Sequence, residues 1–321
     1  MSHHRLLVLF VLILVGAASL RAADQRSVAA DFVVQRRADH VLITDGGRPV
    51  ATYMFRDDKI LRPYFANVCA PGGIQVTRNH PPMPGVDALD HDTMHPGVWF
   101  AFGDLSGHDF WRNKARIVHV RFVESPAVRD GRVTWLAENM LQTADGELVC
   151  RQTSQLTLAA RPAGYLLIWE ATFRPDRGEI VFGDQEEMGL GVRVATPLAV
   201  KQGGTILDAL GRRNEREVWG NAADWCDYSG TLEGRHAGIT TMCDPRNFRP
   251  SWQHARDYGA LVLNPFGQQA FGKGPASQVV VKSGESFRLR YGVLLHAGPP
   301  EAPPDLPAAY ADFRAQLRPL P

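Results

Sequence analysis

Between Asp90 and Arg112 the chain reads DHDTMHPGVWFAFGDLSGHDFWR, placing three histidines, four aspartates, an arginine and two tryptophans among three glycines and a proline. Imidazoles and carboxylates are costly to bury without partners, so the mixture does not suit a core strand. It suits binding or chemistry on a polar, ring-shaped small molecule. The competing reading is a loop whose polar side chains cap turns and face water. His91 and His95 stand four apart, but Asp92, Pro96 and Gly97 argue against a helix there. A loop can still bring both imidazoles to one point. An imidazole titrates near neutral pH and, when neutral, also ligates divalent metals. Both histidines are therefore candidate acid/base groups and possible ligands of a divalent metal, although no cofactor is required.

Asp104 and Asp109 flank LSGH, where an aspartate either caps a turn or enters a site. Trp99, inside VWFAF, is expected in the core. Trp111, beside Asp109 and Arg112, is expected to stack on the C–H face of a sugar. In GDQEEMGLGVRVATPL (183–198) the adjacent Glu186 and Glu187 point to opposite faces of a strand. Glu187 is taken as a pocket carboxylate and general base, with Arg193 on the same face holding a hydroxyl or carboxylate. A surface cross-strand ion pair is the alternative. WGNAADWCDYSG (219–230) offers Trp225 as a second stacking platform. DPRNFRPSWQHARDYGALVLNPFG (244–267) offers His254 as a further acid/base group and Asn264 as a hydroxyl holder. His236 is expected exposed in a Gly-rich turn. Four such patches point to a carbohydrate-like site. No Gly-x-Ser-x-Gly elbow, phosphate-binding Gly-rich loop, His-Glu-x-x-His or dinucleotide fingerprint occurs, which argues against nucleophilic hydrolysis and nicotinamide chemistry.

The elements that must position these residues read as β-strands. Phe287, Leu289, Tyr291, Val293 and Leu295 alternate with Arg288, Arg290, Gly292, Leu294 and His296. Tyr165, Leu167, Trp169, Ala171 and Phe173 do the same, the period-two signature of strands with one face on a core. Asp45-Gly46, Asp130-Gly131, Asp145-Gly146 and Ser283-Gly284 supply hairpin turns. The fold class expected is all-β, a large antiparallel β-sandwich, with a short helix near Ala308–Leu317 after a Pro-rich stretch. The organisation expected is a signal peptide at 1–23, a single sandwich domain at 24–300 and a Pro-rich tail with the helix at 301–321.

The basic MSHHR followed by the apolar run Leu6–Val15 and an Ala-rich segment reads as an export signal, too short for a membrane span. No later segment reads as a transmembrane helix, and the expected location is periplasmic or secreted. With 35 basic and 34 acidic residues the net charge is +1, which gives no electrostatic case for nucleic acid or an anionic membrane. Cys69, Cys150, Cys226 and Cys243 are widely spaced, which argues against structural zinc and leaves disulfides and buried thiols equally open.

The motifs RPY (62–64), VTR (76–78), HPGVWFAFGDLSGHDFW (95–111), EEMGLGVR (186–193), WCDYSG (225–230), NFRPSW (247–252), RDYGALVLNPFG (256–267) and LRYGVLLHAG (289–298) together resemble an exported bacterial family labelled PmoA or methane oxygenase. The resemblance spans about residues 30–298. Methane oxidation by a membrane subunit needs several apolar stretches of about twenty residues, and this chain lacks them, so that activity is rejected. Members commonly carry His-His-Arg-Gly where this chain has Met94-His95-Pro96-Gly97, which removes one histidine and one arginine. In β-rich architecture and His-rich loop the family is similar to the galactose-mutarotase-like supersandwich, and members tend to be encoded among exported sugar-degrading enzymes. The resemblance therefore implies acid/base chemistry on a sugar or oxidised sugar: epimerisation, elimination or hydrolysis. The alternative is a non-catalytic sugar-binding module.

Overall fold

A computed structural model describes residues 30–317; the signal segment expected at 1–23 lies outside the described residues. Two eight-stranded sheets face each other, and their paired strands run antiparallel. The first sheet is ordered Phe32–Arg36, His40–Asp45, Arg48–Met54, Tyr64–Ala66, Val98–Phe102, Met188–Arg193, Ala260–Asn264, Trp252–Arg256. The second is ordered Thr205–Asp208, Trp225–Leu232, Arg235–Cys243, Phe287–Gly298, Gly164–Arg174, Leu148–Arg161, Arg132–Gln142, Arg116–Arg129. The expected all-β antiparallel sandwich is what the chain forms.

The two alternating runs pair with one another. Tyr165, Leu167, Trp169, Ala171 and Phe173 lie opposite Leu295, Val293, Tyr291, Leu289 and Phe287, so their apolar side chains share the inner face. Across the sandwich Phe65 meets Trp169 at 5.6 Å, Phe100 meets Tyr291 at 5.7 Å and Tyr53 meets Trp135 at 5.2 Å between ring centroids. Each fully buried large apolar side chain contributes about 1.5–3 kcal/mol. At the hairpin joining Arg129 to Arg132, Asp130 and Gly131 both adopt positive φ, +50° and +69°, as a type I′ turn requires.

The C-terminal helix, Leu306–Gln316, starts two residues before the position expected. Pro307 is tolerated in its first turn because the missing N–H has no partner there, and the Asp305 carboxylate accepts from the Ala308 amide at 3.0 Å. Leu306, Ala309, Tyr310 and Phe313 cover Leu166, Trp225, Met242 and Leu294 on the outer face of the second sheet. Gly292 allows the close approach, since a Cβ there would lie 2.8 Å from the Phe313 ring. A five-residue helix, Asn214–Val218, was not expected from periodicity; it is too short to show one. All four cysteines are buried and free. No helix among the described residues is long and apolar enough to cross a membrane.

Candidate functional site

The histidine loop leads into the strand Val98–Phe102 and is moulded around two buried guanidinium groups. Arg78 donates to the carbonyls of Ala88, Asp90, His91 and His95, at 2.8, 2.6, 3.3 and 3.2 Å. Arg62 donates to the carbonyls of Trp111 and Met94. The amides of Met94 and His95 donate in turn to His91 O. These contacts hold His91 at φ +51°, a left-handed conformation that costs a non-glycine residue about 1–2 kcal/mol. Backbone strain of this kind gathers where the surroundings over-determine a site.

Four near-parallel rings result. His95 stacks on Trp99 at 5.0 Å, His91 on His95 at 4.8 Å, and Tyr258 on His91 at 5.7 Å, with interplanar angles of 13°, 16° and 13°. Trp111 meets His95 and Trp99 edge-on, at 6.0 and 5.2 Å. The two indoles pack over Gly191, where a Cβ would lie 2.5 Å from Trp99 and 3.0 Å from Trp111.

Arg193 grips Asp90 with two hydrogen bonds of 2.9 and 2.8 Å, and its guanidinium lies 4.6 Å over the Tyr258 ring. Asp90 reaches His91 Nδ1 at 2.7 Å. A carboxylate only accepts, so it fixes the proton of a neutral imidazole on Nδ1 and leaves Nε2 to face a ligand. Burial alone raises the Asp90 carboxyl, but Arg193, His91 and Arg78 outweigh it and hold the carboxyl far below its ordinary range. His95 is driven well below its ordinary value by burial and by Arg193, His91, Arg62 and Arg78. It is a neutral ring at pH 7, and its Nδ1 is buried without a partner.

The face continues across the sheet. Tyr64, Trp99, Gly191, Val262 and His254 occupy one register row, and Arg193, Ala260 and Arg256 the next row on the same face. At about 4.8 Å per strand, Arg193 and Arg256 stand roughly 10 Å apart at the backbone and Trp99 and His254 roughly 14 Å. Arg256 donates to Glu186 at 2.7 Å and to Glu215 at 2.8 Å, and lies 5.6 Å over the Trp219 ring. His254 Nδ1 is 3.2 Å from Glu186 Oε2 without hydrogen-bond alignment. Burial lowers the His254 imidazole, while His254 and Arg256 lower the Glu186 carboxyl. Glu187 points the other way and pairs with Arg112, which also bonds Asp109 at 3.2 Å. Beside that pair lies an open depression of about 420 Å³ lined by Asp104, His108, Asp109, Lys114 and Gln185.

Several expectations need correction. Trp111 is fully buried beneath His95 and presents no stacking face. Trp225 is buried under the C-terminal helix on the other sheet. Asn264 is also fully buried; its amide donates to the carbonyls of Gln185 and Glu186 and its oxygen accepts from Phe266 and Gly267, so no polar valence remains for a hydroxyl. Arg193 is spent on Asp90. Glu187 and His254 lie on opposite sides of the face, and it is Glu186 that meets His254. His91 and His95 do come together, but as stacked rings. Their in-plane lone pairs then run side by side rather than to one point, which is poor metal geometry. Among the described residues no group of three or more His, Cys, Asp or Glu side chains is placed to hold a metal ion. Sequence reasoning missed Asp90, Tyr258, Arg256 and Glu215 as site residues. Tyr258 and Arg256 sit inside RDYGALVLNPFG, and Asp90 opens the histidine segment, so the motif boundaries carried that signal.

An antiparallel sandwich with a face of aromatic and ionisable side chains on one sheet is the class of protein so defined. The chain belongs to a family of unknown function, DUF6807, whose pattern matches residues 40–308. That match carries no activity and gives no support to the PmoA label. No curated protein matches the chain. Solved structures similar to it include a galactose mutarotase-like protein from Lactobacillus casei, 10% identical, covering 83% of this chain and 100% of that one at a TM-score of 0.32. A GalM/aldose epimerase homologue from C. elegans is 9% identical over 84% and 99% of the two chains, at 0.34. A 4-alpha-glucanotransferase from Thermococcus litoralis is 8% identical over 83% of this chain and 37% of that one, at 0.31. Likeness this distant carries no argument about chemistry; only the geometry of the site does.

Proposed function

We propose that this is an exported carbohydrate-active protein whose sugar lies on the outer face of the first sheet, between His91 and Tyr258 on one side and Glu186 and Arg256 on the other. The observation that supports this reading best is the Arg193–Asp90–His91 relay: a buried guanidinium holds a carboxylate, which orients a half-exposed imidazole with Nε2 free. Such an imidazole has the geometry to exchange a proton with a ring or hydroxyl oxygen. Tyr258 supplies an aromatic face for the sugar's C–H side. Glu186 is the opposing carboxylate, in place of Glu187, and Arg256 orients it. The reaction class is proton transfer on a sugar: epimerisation, elimination or hydrolysis. The basic and apolar N-terminal segment supports export.

The test combines saturation-transfer NMR with turnover assays on a panel of free sugars and glycosides. His91→Gln is expected to retain binding and to lose turnover by about a hundredfold or more, the usual share of a general acid or base. Absence of binding by every sugar sinks the reading. A second reading, a non-catalytic sugar-binding protein, is favoured by one observation: Glu186 and Glu187 are both tied to arginines. It predicts binding without turnover in the wild-type protein.

A further inference from the structure

We infer that the sugar recognised here is uncharged, a neutral pyranoside or polyol rather than a uronate, sulfated sugar or sugar phosphate. This rests on the proposed sugar site and concerns the sign of charge its face presents. Between His91 and Arg256 each guanidinium is already engaged by carboxylate, Arg193 by Asp90 and Arg256 by Glu186 and Glu215; at the margins Arg112 is held by Glu187 and Asp109, and Arg249, over the Trp252 ring, by the amide of Gln268. Arg78 lies beneath the loop and spends its donors on four backbone carbonyls. At the relay the cation is the hidden partner and the anion the visible one: the Arg193 side chain is 1% exposed and Asp90 38%. Around Arg256, 28% exposed, two carboxylates of similar exposure, 34% and 33%, outnumber the single cation. At the margin the order reverses: Arg112 is 33% exposed against 24% for Glu187, and Lys114, 3.6 Å from Asp109, is 72% exposed against 14%.

A ligand arriving between His91 and Arg256 therefore meets aromatic rings and more carboxylate than guanidinium charge. Sugar hydroxyls are donors, and carboxylates accept from them strongly. An anionic substituent there finds no free bidentate arginine. It must either displace a carboxylate from its ion pair or lie beside it, and like charges brought together disfavour binding. Recognition of an acidic sugar uses the opposite arrangement, with open guanidinium forks facing the ligand.

The experiment measures affinity of the mature full-length protein for methyl glucoside and methyl galactoside and for the matching methyl glucuronide and galacturonide, by calorimetry near neutral pH. The neutral glycosides are expected to bind about tenfold tighter or more. Added salt, which screens exposed charges, is expected to narrow the ratio, as is Glu215→Gln, which removes one open carboxylate. Uronides that bind as well as or better than their neutral partners overturn this inference and leave the sugar reading standing. If none of the four binds and the wider panel is also silent, the sugar reading falls and this inference with it.

Discussion

Replacing Asp90 by alanine is expected to destabilise the fold more than replacing its partner Arg193 by methionine, although both changes delete the same ion pair. The difference lies in what each leaves behind. Without Asp90, the guanidinium of Arg193 stays 1% exposed with no counter-charge, and Arg78, also 1% exposed and 3.7 Å from Asp90, loses its nearest carboxylate. Stranding a buried charge costs about 3–5 kcal/mol; the lower end applies because the vacated position opens to water. Without Arg193, the carboxylate left behind is 38% exposed and can be solvated in place. Methionine refills much of the volume beneath Tyr258, so the loss is limited to about 1–2 kcal/mol, the net value of charge-assisted hydrogen bonds partly replaced by water. Urea unfolding followed by tryptophan fluorescence gives both values by linear extrapolation. The double mutant supplies a coupling energy, expected at about 1–3 kcal/mol. An Arg193→Met variant as unstable as Asp90→Ala, or a coupling near zero, refutes the argument that burial asymmetry governs this pair.

Three further outcomes are expected at the same site. Because the folded Asp90 carboxyl titrates below its unfolded value of about 3.9, its contribution is present above that value and lost as pH falls through the lower folded one; the urea midpoint should drop on acidification below about pH 4, and drop less in Arg193→Met. His95, neutral because it is buried among arginines, is expected to show no imidazole titration by NMR between about pH 5.5 and 8, and a midpoint near the ordinary 6.5 contradicts that environment. Gly191→Ala forces a methyl to within 2.5 Å of Trp99 and should cost about 1–3 kcal/mol by overpacking; a loss below about 0.5 kcal/mol by the same unfolding assay shows that the two indoles yield freely.

The sandwich was legible because its signals are local. The period-two runs at 165–173 and 287–295 place alternate side chains on opposite faces whatever the strands pair with, and Asp130-Gly131 specifies its own turn. The helix was legible to within two residues for the same reason. The polar groups of the histidine segment needed partners, as its composition implied, and Arg78 and Arg193 supply them, while its His95, Trp99 and Trp111 are buried. Depth beneath the surface was not legible. Trp111, Trp225 and Asn264 have side chains equally fit to bind a sugar or to finish a core, and only the layers packed over them decide which they do.

Partnership was likewise a tertiary outcome. The alternation rule separates Glu186 from Glu187, yet it cannot say that Glu186 is the one to meet His254, because that depends on which strands lie beside it in the sheet. Asp90 and Arg193 are 103 residues apart in sequence. Their pairing exists because the strands Val98–Phe102 and Met188–Arg193 are neighbours and Arg78 folds the loop back over them. By itself the sequence determined the strands, their inward faces and a polar loop that needed partners. The tertiary structure decided which partners those are, because burial and hydrogen-bond geometry are set by residues distant in sequence that arrive together only when the sheets close.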